Sequence, residues 1–314
     1  MRILFTGASS FTGMWFVEAL ARRGHSITAV SRGDDGSYSG LRAQRLARIA
    51  GVCSVRWNAP FGAASFLDIV AKDGPFDVLC HHGAETQGYR SRDFDYVGAV
   101  ASNTRALPQV LAALRNANCT RIILTGSIFE SGEGAGTTPL RAFNAYGLSK
   151  SLTSQVFEFH AGQENFALGK FVIPNPFGPF EEPRFTDYLI RSWRDGKTAV
   201  VSTPRYVRDN IHVALLSECY CDFVQSLPPT GRRKMNPSGY AESQAAFAAR
   251  FAREIATRLK LETPLEMTQQ RIFDEPAVRI NTDAGLEAKP DWDEREAWAA
   301  LADYYAGRFD IVRR

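Results

Sequence analysis

No apolar run in this 314-residue chain approaches the roughly 18 residues that a membrane-spanning helix requires. A secretory leader pattern is missing too. Met1-Arg2-Ile3-Leu4-Phe5 reaches Thr6-Gly7 before an apolar leader core could form, so the chain is expected to remain cytoplasmic. Cysteine is scarce, five residues in an odd set without CxxC spacing, which excludes the usual disulfide framework and thiolate metal sites. Cys53, Cys80 and Cys119 lie in or beside strand-like apolar runs and read as buried thiols. Basic clusters are lacking as well. The 30 Arg and 7 Lys leave a net charge of only +3, and no basic block exceeds Arg232-Arg233-Lys234. A nucleic-acid footprint needs a concentrated stripe, and none is present. Internal repeats and low-complexity tracts are absent. With 45% hydrophobic and 23% charged residues, the composition is that of a globular chain with a sizeable core.

What is present is an alternation of short apolar runs with helix-period stretches. Strands are expected at Ile3–Phe5, Ile27–Val30, Val52–Trp57, Phe76–Cys80, Arg121–Leu124 and Lys170–Ile173. Helices are expected at Phe11–Arg23 and Phe66–Ala71, within Tyr96–Ala117 as one long element, and at Ala145–Phe159. Near-continuous apolar strands alternating with helices specify a parallel sheet covered on both faces, an α/β doubly wound fold. After Pro174 the rhythm changes. Four prolines fall within residues 174–183, and helical patterns follow at Asp187–Asp195, Val213–Phe223, Ser243–Leu259 and Glu294–Ala306. This predicts a nucleotide-binding domain over 1–174 and a smaller, mainly helical lobe over 175–314, with some of its segments returning to the first.

Thr6-Gly7-Ala8-Ser9-Ser10-Phe11-Thr12-Gly13 joins the first strand to the first helix. In such a turn, backbone N–H groups and the helix N-terminus approach a pyrophosphate, with glycine leaving room for the ligand. Gly7, Ser9, Ser10, Phe11 and Thr12 are the expected contacts, with Ser10 where a further glycine is usual. At the end of the second strand, Ser31-Arg32 stands where an acid would receive a ribose 2′-OH. A cation there suits a 2′-phosphate, so NADP(H) is favoured, with NAD(H) left open.

Tyr146 and Lys150 lie four apart, on one face of a helix. An ammonium beside a phenol stabilises phenolate and suits the pair to proton transfer. Thr125-Gly126-Ser127 closes the fifth strand, where the Ser127 hydroxyl can bond a substrate oxygen. His81 and His82 invite a metal reading. Adjacent strand residues face opposite sides and no third ligand is in register, so no metal is expected.

Together with Asn175-Pro176-Phe177-Gly178-Pro179, Arg208-Asp209-Asn210-Ile211-His212-Val213 and Asn236-Pro237-Ser238-Gly239, these motifs resemble the extended short-chain dehydrogenase/reductases of the nucleotide-sugar epimerase/dehydratase type. The resemblance implies a Rossmann-type lobe for NAD(P) and a C-terminal lobe for a nucleoside-diphosphate sugar. It implies Asn58 and Ala59 near adenine, and His82, Gly83 and Ala84 near pyrophosphate and ribose. It further implies Asn103 behind the active-site helix, Thr125 by the nicotinamide ribose and Pro174 by the nicotinamide. Asn175 and Arg208 would hold the sugar diphosphate, Arg271 or else Arg279 would form a second clamp, and Glu85 and Thr86 would belong to a polar loop facing the sugar. A homodimer through the helices around Asn103–Ala117 and Ala145–Phe159 is also implied.

The chain departs from that pattern in one chemical respect. Dehydratases of this type carry an Asp-Glu pair after the catalytic hydroxyl, and here Ile128-Phe129 stands instead. Elimination of water then lacks its acid and base. The expected function is a 4-ketoreductase acting on a nucleoside-diphosphate 4-keto-6-deoxy sugar, with Tyr146 as proton donor. An NAD-dependent nucleotide-sugar 4-epimerase is the alternative, and a catalytically silent NADP-sensing protein is a reading of another class.

Overall fold

The computed structural model describes residues 1–285, 288–289 and 291–311. The chain runs through β1 (Arg2–Thr6), α1 (Phe11–Arg22), β2 (Ser26–Val30), α2 (Gly40–Ile49), β3 (Ser54–Arg56), α3 (Ala64–Asp73) and β4 (Val78–His81). There follow α4 (Tyr96–Asn103), α5 (Leu107–Asn116), β5 (Arg121–Ser127), β6 (Ala135–Gly136), α6 (Ala145–Gln163), β7 (Ala167–Ile173), β8 (Asn175–Phe177), α7 (Phe185–Arg194), β9 (Ala199–Val201) and β10 (Val207–His212). The remainder is α8 (Val213–Gln225), β11 (Arg232–Met235), β12 (Pro237–Ser238), β13 (Tyr240–Ser243), α9 (Gln244–Leu259), β14 (Leu265–Met267), β15 (Val278–Ile280), β16 (Asp283–Ala284) and α10 (Glu294–Phe309).

Two compact units result. The first is built from Met1–Glu133, Leu140–Ile173 and Ser217–Asn236, the second from Gly134–Pro139, Pro174–Leu216 and Pro237–Arg314. Residues 217–236 lie beyond residue 174 yet pack with the first unit. The reason is a missing neighbour: β7 would be an open edge, and β11 covers it by pairing in parallel, Arg232 with Leu168 through Met235 with Phe171.

The first unit's sheet is wholly parallel, in the order β11-β7-β5-β4-β1-β2-β3. The chain reverses direction across the sheet between β1 and β4, the crevice where open α/β sheets bind ligands. Ile3, Leu4, Phe5, Leu79, Cys80, Ile122 and Ile123 are fully buried, as strands covered on both faces require. One face is sealed by aromatic packing. Phe16 of α1 stacks on Tyr220 of α8 at 4.0 Å between centroids, and Phe171 meets the same Tyr220 edge-on at 5.0 Å. Each such buried side chain contributes about 1.5–3 kcal/mol.

The single helix expected within Tyr96–Ala117 is two helices. Ala106 adopts left-handed backbone (φ 47°) and Pro108 enters the first turn of α5, so the hydrogen-bond ladder cannot run through. In the second unit α7, α9 and α10 enclose a core that includes Leu189, Trp193, Phe247, Phe251, Trp298 and Tyr305. Short strands accompany them: β13, β10, β15 and β6 form a sheet, and β8 pairs with β10. At two to six residues each, they are too short to carry a legible alternation. Among the described residues no helix is long and apolar enough to cross a membrane. All five cysteines are free, four of them buried.

Candidate active site

The turn between β1 and α1 is closed by Ser10. Its side chain is the helix N-cap, accepting from the Gly13 N–H (3.1 Å) while donating to the Gly7 carbonyl (2.8 Å). Gly7 has φ +81°, and a Cβ there would lie 2.7 Å from the Gly83 nitrogen, so only glycine lets the turn approach the end of β4. Beyond the turn, the Thr6 hydroxyl accepts from the Gly83 N–H at 2.8 Å. It also bonds His81 Nδ1 at 3.1 Å, and His81 Nε2 donates to the Asn103 carbonyl at 3.2 Å.

His82 ties the other side together. Its Nε2 lies 2.9 Å from Ser10 Oγ and 3.1 Å from Thr12 Oγ1, and its Nδ1 lies 3.0 Å from Thr125 Oγ1. Because Ser10 gives its only proton to Gly7, His82 Nε2 carries the proton and Nδ1 accepts from Thr125. The ring sits against Phe5 and Phe16, whereas His81 lies against Phe61 and Phe157, so the two imidazoles diverge. Loss of solvent, reinforced by the Lys150 ammonium, pushes both histidines down to about 3 and keeps them neutral. Ser10 stands where glycine is usual and is built into the turn by these contacts. It anchors the turn, through His82, to Thr125.

The selecting end of β2 is organised by Tyr38, whose hydroxyl bonds Ser31 Oγ at 2.6 Å and accepts from the Gly33 N–H at 3.2 Å. Asn58, in left-handed backbone, donates its N–H to the Gly33 carbonyl, and Ala59 donates to that of Ser31. Arg32 is engaged: its Nη1 donates to Glu85 Oε2 at 2.8 Å. Glu85 Oε1 accepts from the N–H groups of Thr86 (3.0 Å) and Gln87 (2.8 Å), so this carboxylate, expected to face the sugar, is directed at Arg32 and its own loop. The Glu85 N–H in turn donates to Asn103 Oδ1 at 2.9 Å, and Asn103 Nδ2 reaches Thr153 of α6.

Asn144 caps α6 by accepting from the Gly147 N–H at 2.9 Å, which starts the helix one residue before Tyr146. A Cβ on Gly147 would lie 2.2 Å from the Phe129 carbonyl, so glycine sets how closely α6 meets the segment after β5. Lys150 Nζ is buried and donates to the Thr125 carbonyl at 2.7 Å. Its pKa is lowered by burial, an effect opposed by Glu130 and reinforced by Lys170. The Tyr146 ring is walled edge-on by Tyr89 (5.4 Å), Phe94 (6.1 Å) and Phe129 (6.4 Å), with Phe143 stacked on Phe129. Ser127 Oγ accepts from the Phe129 N–H at 3.2 Å.

Behind Ser127 lies a charge cluster that sequence reasoning missed. Glu130 accepts from the Ser127 N–H (2.7 Å) and from Lys170 (2.6 Å), and Lys170 also meets Glu133 at 2.8 Å. Glu133 is bonded further by Lys234 and Asn236. The residues come from the turn after β5, from β7 and from β11, and only the sheet pairing brings them together.

In the second unit, Pro174 precedes β8, whose Asn175 pairs in register with Asn210 of β10. Arg208 does not stand free for a diphosphate. Its guanidinium donates to the Val207 and Pro276 carbonyls (both 2.9 Å) and to Glu275 (3.0 Å), and lies over the Tyr206 ring. Asp209 accepts from the N–H groups of Gly239 and Asn281. Arg271 is exposed and bonds Gln269, whereas Arg279 is buried within β15. Among the described residues no group of three or more His, Cys, Asp or Glu is placed to hold a metal ion.

Residues 3–226 match the model of the NAD dependent epimerase/dehydratase family. The chain belongs to that family. No match is found among curated protein sequences. Solved structures share the fold across nearly the whole chain. UDP-glucuronic acid 4-epimerase from Bacillus cereus, in complex with UDP-glucuronic acid and NAD, is 15% identical over 98% of this chain and 100% of its own, with a TM-score of 0.75. UDP-glucose 4-epimerase from Stenotrophomonas maltophila, with NAD and formylated UDP-arabinopyranose, is 16% identical over 99% and 100%, also at 0.75. UDP-glucose 4-epimerase from Thermotoga maritima, with UDP-glucose, is 15% identical over 98% and 100%, at 0.73.

Proposed function

We propose that this protein is an NAD-dependent nucleotide-sugar 4-epimerase, the reading to which the expected 4-ketoreductase now gives way. The observation that carries it is the pairing of Tyr146 and Lys150 on α6 with Ile128 and Phe129 after Ser127. A phenol and an ammonium serve reversible oxidation at a carbinol carbon, and the acid-base pair for dehydration is missing. The structurally similar 4-epimerases from Bacillus cereus and Stenotrophomonas maltophila hold NAD, which supports NAD here over NADP. So does the engagement of Arg32 by Glu85.

The β1–α1 turn fits a dinucleotide, since it joins the C-terminal end of β1 to the N-terminus of α1 beside the crevice where the strand order reverses. The bound nicotinamide supplies a reversible hydride acceptor. Gly7, Ser9, Ser10, Phe11 and Thr12 would line the pyrophosphate, with Ser31, Asn58 and Ala59 toward the adenosine. Tyr146 would take the proton of the sugar 4-hydroxyl and later return it. Lys150 would favour the phenolate, Ser127 would bond the sugar oxygen, and the aromatic wall of Tyr89, Phe94 and Phe129 would keep water from the phenol. Asn175 and Thr86 remain substrate candidates, as does Arg271. Arg208 would need to exchange Glu275 for a diphosphate.

The test is the nucleotide released when purified protein is denatured, together with incubation of UDP-hexoses without added cofactor. Bound NAD and inversion at C4 are the expected results. Stoichiometric NADPH consumption with a 4-keto-6-deoxy sugar nucleotide would reinstate the reductase, and tight NADP binding with neither reaction would favour the sensing protein. A homodimer is part of this reading, because α4 and α6 of the first unit leave Val97, Leu148 and Phe159 exposed. Analytical ultracentrifugation of the Val97→Glu variant should show monomer where the parent shows dimer.

A further inference from the structure

The end of β2 carries a cation where a ribose-binding acid is usual, yet that cation is already answered. Arg32 comes from the end of β2 and Glu85 from the segment after β4, strands that both neighbour β1. The Glu85 carboxylate is held from three directions. One oxygen faces the Arg32 guanidinium at 2.8 Å, and the other is fixed by the N–H groups of Thr86 and Gln87. The residue's own N–H is pinned to Asn103. This is a positioned anion on a bonded loop rather than a chance partner on a free side chain.

We infer that Glu85 is the residue that sets dinucleotide choice, by occupying the guanidinium of Arg32 and holding a negative charge where a 2′-phosphate would have to sit. The inference rests on the reading that the β1–α1 turn binds a dinucleotide. A 2′-phosphate brings about two negative charges at neutral pH. To use Arg32 it must displace the carboxylate and then remain beside it, because the Thr86 and Gln87 N–H groups keep Glu85 from swinging away. NAD(H) has a plain 2′-hydroxyl and meets neither obstacle. Arg32 and Glu85 thus act as one neutral unit that tolerates NAD(H), and Arg32 alone would recruit NADP(H). Partial burial of Glu85 works against its ionised form, but the Gln87 N–H, Arg32 and the Thr86 N–H outweigh it and hold the carboxyl below its usual value, so the charge persists at neutral pH.

The experiment is a thermodynamic cycle with Glu85→Gln and Arg32→Ala, reading NADH and NADPH dissociation constants by calorimetry on nucleotide-stripped protein. The amide introduced by Glu85→Gln keeps an oxygen for the Thr86 and Gln87 N–H groups, so the loop is preserved and the charge removed. Glu85→Gln should tighten NADPH roughly 3–10-fold, the range of an exposed ion pair freed plus one repulsion removed, and change NADH less than about twofold. In the Arg32→Ala background the same substitution should tighten NADPH clearly less, because only the repulsion is then relieved. The gain should also shrink in about 1 M salt, where screening is complete within a few ångströms. An unchanged NADPH-to-NADH ratio in Glu85→Gln overturns the inference, and so does an equal gain without Arg32. If no variant binds either dinucleotide, the reading of the turn fails first and takes this inference with it.

Discussion

Glu130 accepts a hydrogen bond from the backbone N–H of Ser127 at 2.7 Å, with Lys170 at 2.6 Å on its other oxygen. The carboxylate is fully buried, so it fixes the segment that carries the hydroxyl while neutralising the ammonium behind it. Glu130→Ala would leave the Ser127 N–H without this acceptor and halve the compensation of Lys170. Removing one partner of a buried pair costs about 3 kcal/mol. Urea denaturation should show a loss of that order, and a change below about 1 kcal/mol would mean the cluster rearranges freely.

Tyr146→Phe keeps the ring against Tyr89, Phe94 and Phe129 and removes only the hydroxyl. Dinucleotide affinity should stay within about twofold while turnover falls by at least about 10²-fold. Steady-state rates on the substrate found for the parent decide this. A variant retaining most of its activity would assign proton transfer to another group.

Ser10 and His82 should behave as a coupled pair. Ser10→Ala removes a helix cap worth about 1 kcal/mol and deprives His82 Nε2 of its nearer acceptor. His82→Leu removes the imidazole. A double-mutant cycle in urea should give a coupling of roughly 0.5–3 kcal/mol, and additive losses would mean the contact contributes nothing.

The second unit contains a group that titrates near neutrality. Glu181 is buried and accepts from the Thr186 hydroxyl at 2.8 Å, and burial raises its carboxyl to about 7. The folded state therefore holds a proton that the unfolded chain releases near 4.5. This contribution to stability is complete below about pH 4.5 and is lost as pH rises through about 7. Glu181→Gln stays neutral throughout. Its unfolding free energy relative to the parent should climb between pH 5 and about pH 7.5, by an amount on the order of 2–3 kcal/mol read from urea denaturation. A pH-independent difference would place the proton elsewhere. His81, His82 and His212 pull the opposite way, all held near 3 by burial, so both proteins should weaken below about pH 6.5 as these rings charge on unfolding.

The parallel sheet and the Tyr146–Lys150 helix were legible because both depend on local periodicity: apolar runs for β1, β4 and β5, and a four-residue step on α6. The glycine turn was legible from composition at one strand end. Contacts between distant segments were not. Glu85 lies 53 positions from Arg32, and Glu133 lies 103 from Asn236. No spacing rule links them, because sheet order rather than sequence makes them neighbours. The engagement of Arg208 was illegible for the same reason: its partners Glu275 and Pro276 arrive just ahead of a strand whose three residues give no pattern. The break at Ala106 hides within a stretch that reads as helix, since the backbone there turns left-handed without glycine.

The return of α8 and β11 to the first unit also governs how the molecule can be made. During synthesis β7 emerges with its outer edge bare, and Phe16 and Phe171 wait for Tyr220. Residues 174–216 must leave the ribosome before the cover arrives, several seconds at about 5–20 residues per second. Through that interval the nascent chain offers an unpaired strand and an apolar face, the surfaces that holdase chaperones grip. An excised fragment ending at residue 174 would keep both exposed permanently, which makes it a poor module for fusion or grafting. A circular permutant beginning near residue 213 would instead supply α8 and β11 first, and would let the sheet close as each later strand appears.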